Sequence, residues 1–206
     1  MRRLNDLLIP VVTLMLASGC SSTPTSHFYT LSAATVPAAP ASKISVAVGP
    51  VSVPAEVDQP QIVVSTGPNQ VQFDEFNRWA APLQNAITRV VAENLVAMLG
   101  TPHVTLFSQV LSADTEYRVA IEVQGFVSAP GESVALDAVW TVRRMQDGSA
   151  ETGRTTVREP VKEKGYDALA AAHSRAIAQM SQDIADALRR LEHAPLQKTD
   201  TEPARK

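Results

Sequence analysis

Few side chains in this sequence have the type and spacing that catalysis or metal binding requires. None of the four histidines has the spacing of a set of metal ligands; they are His27, His103, His173 and His193. The sequence contains neither a Gly-x-Ser-x-Gly nucleophile elbow nor a dinucleotide-binding glycine pattern. We therefore predict a protein that is not an enzyme and that has no catalytic residues, no metal site and no bound cofactor.

One segment has the residues of a phosphate-binding loop without the setting of one. GSAETGRT, from Gly148 to Thr155, carries Arg154 where such a loop has lysine. A phosphate loop leads from a strand into a helix, whose N-terminal amides bind the anion. This segment instead joins two strand patterns, so we predict a hairpin turn.

Three polar residues of the last predicted helix also invite a chemical interpretation. Asp183 and Asp186 are a pair of acids, but a solvated helix face is the more economical prediction. His173 is predicted to lie at the boundary between the buried and exposed faces of the helix.

The single cysteine, Cys20, has the setting of a lipid attachment site. It follows Arg2 and Arg3, an apolar stretch from Leu7 to Ala17 and the small residues 17–19. That stretch is shorter than the roughly 20 residues that span a bilayer, and it matches the apolar part of a secretory signal. The junction resembles the lipobox of bacterial lipoproteins, in which the thiol receives diacylglycerol and the freed amino group receives a further acyl chain.

These features divide the chain into four predicted segments. They are a cleaved signal peptide (1–19), lipidated Cys20 with a flexible tether (20–42), one α+β domain (43–192) and a disordered polar tail (193–206). Two or more acyl chains hold a protein on a membrane stably. Ser21 follows the cysteine, and by resemblance to enterobacterial lipoproteins this favours the periplasmic face of the outer membrane of a Gram-negative bacterium.

The composition narrows the class of partner. The 206 residues include 18 basic and 21 acidic side chains, for a net charge of −3, which argues against a nucleic-acid partner. Once Cys20 is acylated, no thiol remains for a disulfide. The domain must therefore be stabilised by its hydrophobic core.

Hydrophobic periodicity predicts the elements of that domain. Alternating apolar residues indicate strands at 44–48, 61–66, 70–73, 103–107, 116–127, 133–145 and 152–159. Apolar stripes of helical spacing indicate one helix that begins near Pro82 and ends at Gly100, and a second over 165–191. We predict an α+β fold, a mostly antiparallel sheet with two long helices packed on one face.

Two segments of the predicted domain are distinctive beyond their periodicity. They are VDQPQIVV (57–64) and EFNRWAAPLQNAITRVVAENL (75–95), with Tyr29-Thr30-Leu31 near the start of the mature chain. They resemble the ABC-type transport auxiliary lipoprotein family, and Gln59 and Ala81 replace an arginine and a glutamate of its pattern. The resemblance covers nearly all of residues 20–192.

The resemblance implies a function in intermembrane lipid transport. By this resemblance, an MCE-domain periplasmic protein and its inner-membrane permease complex form the conduit, and the lipoprotein docks it to the outer membrane. A homo-oligomeric ring that matches the MCE ring is a further expectation. The candidate interface is Asp58, Pro60, Gln61, Arg78, Trp79 and Pro82. Trp79 as a core aromatic, and Asp58 and Pro60 as turn residues, are the structural alternatives.

Three other functions are compatible with an anchored domain. One is an outer-membrane lipoprotein that activates a cell-wall synthase, and another is a periplasmic lipid-binding carrier. A carrier requires an apolar cavity, which the alternating strands with their small alanines do not predict. A lipid-degrading enzyme is the third, and it lacks a recognisable nucleophile.

Overall fold

The structure, a computed structural model, describes residues 24–35, 37, 39–107 and 114–196. The predicted signal peptide 1–19, the predicted lipid attachment site Cys20 and residues 197–206 of the predicted tail lie outside the described residues.

Eight strands and two helices make up the described part of the chain. In chain order they are β1 (His27–Tyr29), β2 (Val46–Ser52), β3 (Gln61–Gly67), β4 (Gln70–Trp79), α1 (Leu83–Leu99), β5 (Val104–Leu106), β6 (Tyr117–Ala129), β7 (Ser133–Arg144), β8 (Ala150–Pro160) and α2 (Tyr166–His193).

The strands form two sheets, of orders β1-β4-β3 and β5-β2-β6-β7-β8. The predicted α+β class is confirmed, but the strands form two mixed sheets rather than one mostly antiparallel sheet. The pairs β1–β4, β2–β5 and β2–β6 are parallel. A parallel pair needs a long crossover connection, and the β3–β4 hairpin, α1 and β5 supply one between β2 and β6.

Both helices pack on the same face of the five-stranded sheet, α1 against β2 and β5 and α2 against β7 and β8. The apolar stripes predicted for the helices are buried, and so are the predicted inward residues of β6 and β7. These residues form one continuous core, to which the three-stranded sheet contributes Ile62, Val64 and Trp79.

The segment that precedes β2 lies against the domain. Leu31 is 1% exposed, and its carbonyl oxygen accepts a hydrogen bond from Arg89 Nη2 at 2.7 Å. The Ala34 amide donates to Asn94 Oδ1 at 2.8 Å. The predicted domain start at residue 43 therefore does not coincide with the first strand, because Tyr29 and Leu31 provide apolar contacts within a tether-like composition.

We expect Gly100→Ala to destabilise the protein more than Gly131→Ala. Both glycines have a positive φ, 65° and 74°, and an alanine there costs about 1–2 kcal/mol. A Cβ at Gly100 would also lie 2.4 Å from the Pro40 carbonyl oxygen, whereas a Cβ at Gly131 meets nothing within 4 Å. Chemical denaturation of both variants measures the difference, and equal losses would contradict a packed segment before β2.

The phosphate-loop-like segment is a hairpin, as predicted. Gly148 lies in the turn with a φ of 74°, β8 begins two residues later, and Arg154 pairs with Asp137 of β7. Asp183 and Asp186, predicted on a solvated helix face, are half-buried. Asp183 accepts a hydrogen bond from Thr155 at 2.5 Å.

Within the described ranges, no three histidine, cysteine or acidic side chains are grouped as metal ligands would be. No helix in those ranges combines the length and hydropathy needed to cross a membrane.

Candidate partner interface

Strand pairing brings the two halves of the candidate interface together. The Trp79 amide donates to the Pro60 carbonyl oxygen at 2.8 Å, and Gln61 of β3 pairs with Arg78 of β4. Pro82, three residues after Trp79, is the N-cap of α1. The sequence segments 58–63 and 75–82 therefore meet at one end of the three-stranded sheet.

The candidate residues differ in how far a partner could reach them. Asp58, Pro60 and Pro82 are exposed, and Gln61 is half-buried. Trp79 is 6% exposed. Trp79 is therefore a core aromatic, which was the structural alternative for this residue.

The guanidinium group of Arg78 contacts Glu75 of the same strand. Its Nε donates to the Glu75 carbonyl oxygen at 2.9 Å, and its Nη2 lies 3.5 Å from Glu75 Oε2. Gln61 Nε2 donates to the same carboxylate oxygen at 3.1 Å. The side chain of Arg78 is 35% exposed, and exposed ion pairs contribute little to stability. A partner can therefore separate this pair at small cost.

Trp79 belongs to a buried aromatic cluster with Phe126 and His173. The rings of Phe126 and His173 stack with centroids 3.7 Å apart, and Trp79 meets both edge-on. His173 is 0% exposed, so the prediction that it lies at a boundary is wrong. The physical reason is that β4 and β6 cover the helix at this position.

Burial governs the protonation of His173. Removal from water lowers its pKa to about 3. Nε2 shares a 2.8 Å hydrogen bond with Ser128 Oγ, and Nδ1 has no hydrogen-bond partner in the described part of the chain. The imidazole is therefore neutral and structural at physiological pH.

A polar network fixes β4 to α2 beside the interface. Tyr166 Oη donates to Asp74 Oδ2 at 2.6 Å, and the amides of Phe76 and Asn77 donate to Asp74 Oδ1. Burial alone would raise the pKa of Asp74, but these hydrogen bonds outweigh it and the pKa is lowered. Tyr29 Oη donates to the Asn77 side chain at 2.8 Å, which adds β1 to the network.

A broad groove of about 1070 Å³ adjoins Pro82. It lies between the chain that follows β1, the first half of α1 and the β2–β5 edge of the larger sheet. Its apolar residues include Val48, Val51, Leu106 and Phe107. The sequence patterns did not predict this groove, because it arises where segments distant in sequence meet.

The polar groups of the groove include an ion pair on α1 and two exposed amide side chains. Its titratable side chains include Arg89 and Glu93, which pair with each other at 2.8 Å one helical turn apart. The Gln84 and Asn85 side chains are exposed at its rim. The groove and the exposed candidate residues together offer a mixed polar and apolar surface.

Comparison with known structures shows that the fold is shared. A crystal structure of an uncharacterized protein is similar with a TM-score of 0.66 and 23% identity, covering 80% of this chain and 99% of its own. A Xanthomonas campestris protein of the family DUF330 is similar with a TM-score of 0.65 and 20% identity, covering 82% and 98%.

A dodecameric PelC from Paraburkholderia phytofirmans is more distant, with a TM-score of 0.44 and 13% identity over 72% of this chain and 93% of its own. None of the curated proteins matches this chain.

Residues 29–185 match the family described as the ABC-type transport auxiliary lipoprotein component. The match spans most of the chain and begins at Tyr29, inside the segment that packs against the domain. The chain therefore belongs to the ABC-type transport auxiliary lipoprotein family.

Proposed function

We propose that this protein is an outer-membrane-anchored lipoprotein of an MCE/ABC-type intermembrane lipid transport system, acylated on Cys20, that docks the periplasmic MCE conduit to the outer membrane. Family membership supports the role of a transport auxiliary lipoprotein. The observation that carries the docking role is the meeting of exposed Asp58, Pro60 and Pro82 at one end of the three-stranded sheet.

The chemistry of this surface suits binding without a reaction. Its ion pairs include Arg78–Glu75 and Arg89–Glu93, and the buried His173 is held neutral behind the surface. We therefore propose a non-catalytic partner of the MCE-domain protein and its permease complex. A ring of copies that matches the MCE ring is part of this proposal.

The groove supports one alternative function, that of a periplasmic lipid-binding carrier. Its volume of about 1070 Å³ is slightly above the roughly 300–1,000 Å³ of small-molecule sites, and apolar residues line part of it. A lipid-binding carrier would use this space. Lipid that copurifies with the protein, and that is lost on Leu106→Arg, would support the carrier.

The docking proposal predicts a position-specific crosslink. A photo-crosslinking residue at Pro82 of the full-length protein, expressed in its own host, should capture an MCE-domain protein, because Pro82 is exposed beside both the interface and the groove. Mass spectrometry identifies the captured protein. A matched probe at Thr152, which is exposed on β8, should not capture it.

Two results would contradict the docking proposal. Capture of a cell-wall synthase at Pro82, without an MCE protein there or at Asp58, would favour an activator of that synthase. Equal capture of the MCE protein at Pro82 and Thr152 would show that contact is not confined to the proposed end of the sheet.

A further inference from the structure

The three-stranded sheet carries an apolar surface that faces away from the core. Four of the nine exposed large apolar side chains in the described part of the chain belong to its strands β1 and β4. Their exposed fractions are 64% for Phe28, 55% for Val71, 46% for Phe73 and 42% for Phe76. We call these four residues the outer face.

Strand register places Val71, Phe73 and Arg78 on one side of the sheet. Phe73 pairs with Val63, Val71 with Ser65 and Arg78 with Gln61, and paired residues project from the same face. Alternate residues of β3 share a face, so Gln61, Val63 and Ser65 mark the outer side. Val63 on this side is only 8% exposed, because it lines a cleft with residues of β6.

Phe28 of β1 belongs to the same side, because it pairs with Arg78, the partner of Gln61. Phe76 lies between Asp74 and Arg78, where the register of β4 with β3 shifts, and its side chain is 42% exposed next to these residues in sequence. The opposite side of β3 carries Ile62 and Val64, which are 0% and 5% exposed and belong to the core. The outer face therefore gathers four exposed apolar side chains on two paired strands, whereas the apolar residues of an ordinary surface are scattered singly.

The distance to the lipid anchor limits where this surface can lie. Six residues lie between Cys20 and His27, the first residue of β1, so the chain takes seven residue-to-residue steps between them. An extended chain spans at most about 3.6 Å per residue, or roughly 25 Å over this segment. Among the described residues that follow β1, Leu31, Ala34, Ala39 and Ser42 form hydrogen bonds to α1 or to Gly100 directly after it. Phe28 is thus next to the point where the tether ends.

We propose that the outer face lies on the lipid surface that holds the anchor, with Phe28 and Phe76 at the level of the headgroups. This inference rests on the proposed acylation of Cys20. Aromatic and aliphatic side chains favour that boundary, where apolar area is removed from water. The charged neighbours Glu75 and Arg78 pair with each other, so the surface carries little net charge into the lipid.

This orientation refines the docking proposal. The outer face includes Gln61 and Arg78 of the candidate interface, so these two side chains would lie at the lipid boundary. The exposed Asp58, Pro60 and Pro82 lie at the end of the sheet, and none of the four outer-face residues lines the groove. The conduit can therefore dock beside the membrane-bound face.

A depth measurement tests the proposal on the acylated full-length chain. The sequence has one cysteine, so an acylated protein with Phe76→Cys has one thiol for an environment-sensitive fluorophore. The labelled protein is reconstituted in vesicles of equal parts phosphatidylethanolamine and phosphatidylglycerol that contain a spin-labelled quenching lipid. We expect a loss of roughly half the fluorescence, because surface-bound elements bury their apolar side about 5–10 Å into the headgroup boundary.

Thr152→Cys is the matched control, because Thr152 is exposed on β8 of the other sheet. We expect little quenching there. Equally weak quenching at positions 76 and 152, in protein whose acylated Cys20 is verified by mass spectrometry, would overturn this inference and leave the anchor standing. Shielding of position 76 only after addition of the MCE-domain protein would also overturn it. An unmodified Cys20 would overturn the anchor together with the inference.

Discussion

Trp79→Ala is expected to lower the free energy of unfolding by about 3–5 kcal/mol, the usual cost of truncating a buried aromatic residue. The indole is 6% exposed and packs edge-on against the stacked rings of Phe126 and His173. Its amide and that of Ala80 connect β4 to Pro60 and to Tyr29 of β1. The loss is a large part of the about 5–15 kcal/mol that stabilises a domain, and urea denaturation measures it.

Arg78→Ala separates the structural role of Trp79 from a contact role. Arg78 precedes Trp79, and its exposed ion pair with Glu75 contributes at most about 1 kcal/mol. We therefore expect Arg78→Ala to leave the unfolding midpoint almost unchanged. Similar midpoints for both variants would mean that Trp79 is not a core residue. Loss of partner capture on Trp79→Ala alone would not identify an interface, because the variant also weakens the sheet that carries Pro60 and Pro82.

The elements that could be predicted from the sequence are those whose pattern is local. The stripes of α1 and α2, and the alternation in β6 and β7, depend only on which side chains face the core. The end of α1 was equally clear, since Gly100 adopts the left-handed conformation with a φ of 65°.

The parts that could not be predicted depend on pairing between distant segments. β1 has three residues, and only its parallel pairing with β4 makes it a strand. His173 was predicted at the boundary between the buried and exposed faces of its helix, and its burial is caused by Phe126 and Trp79 from other elements. The candidate interface could be predicted only in part. The two motifs meet in the structure, but Trp79 points into the core, and no sequence pattern predicted the groove.

The free energy of unfolding is expected to fall in mild acid because of His173. The buried imidazole has a pKa of about 3 in the folded protein, against the ordinary histidine pKa of 6.5 that applies to the unfolded chain. Above pH 6.5 the imidazole of His173 is neutral in both the folded and the unfolded state, so its contribution to stability is fully present. Between pH 6.5 and 3 the unfolded chain binds a proton that the folded protein excludes, so stability decreases as pH falls, by about 1.4 kcal/mol per pH unit.

His173→Gln isolates this effect. Glutamine does not titrate, so the difference between the two proteins should change by about 3 kcal/mol between pH 7 and pH 4.5. Asp74 and Asp137 also have a lowered pKa, and their contributions are lost only as pH falls below about 4. They are present in both proteins and cancel in the difference.

Urea denaturation from pH 7 to pH 4.5 measures the two curves, with His103→Gln as the matched control because His103 is exposed. The control should retain the wild-type dependence on pH. Parallel curves for the wild type and His173→Gln would mean that the folded protein can protonate this imidazole. That result would contradict the burial of the His173 ring. Within the described chain its Nδ1 has no hydrogen-bond partner and its Nε2 bonds to Ser128, so no group there would stabilise a second proton. The aromatic cluster behind the candidate interface would then have to open to water, and the surface it supports could not be treated as rigid.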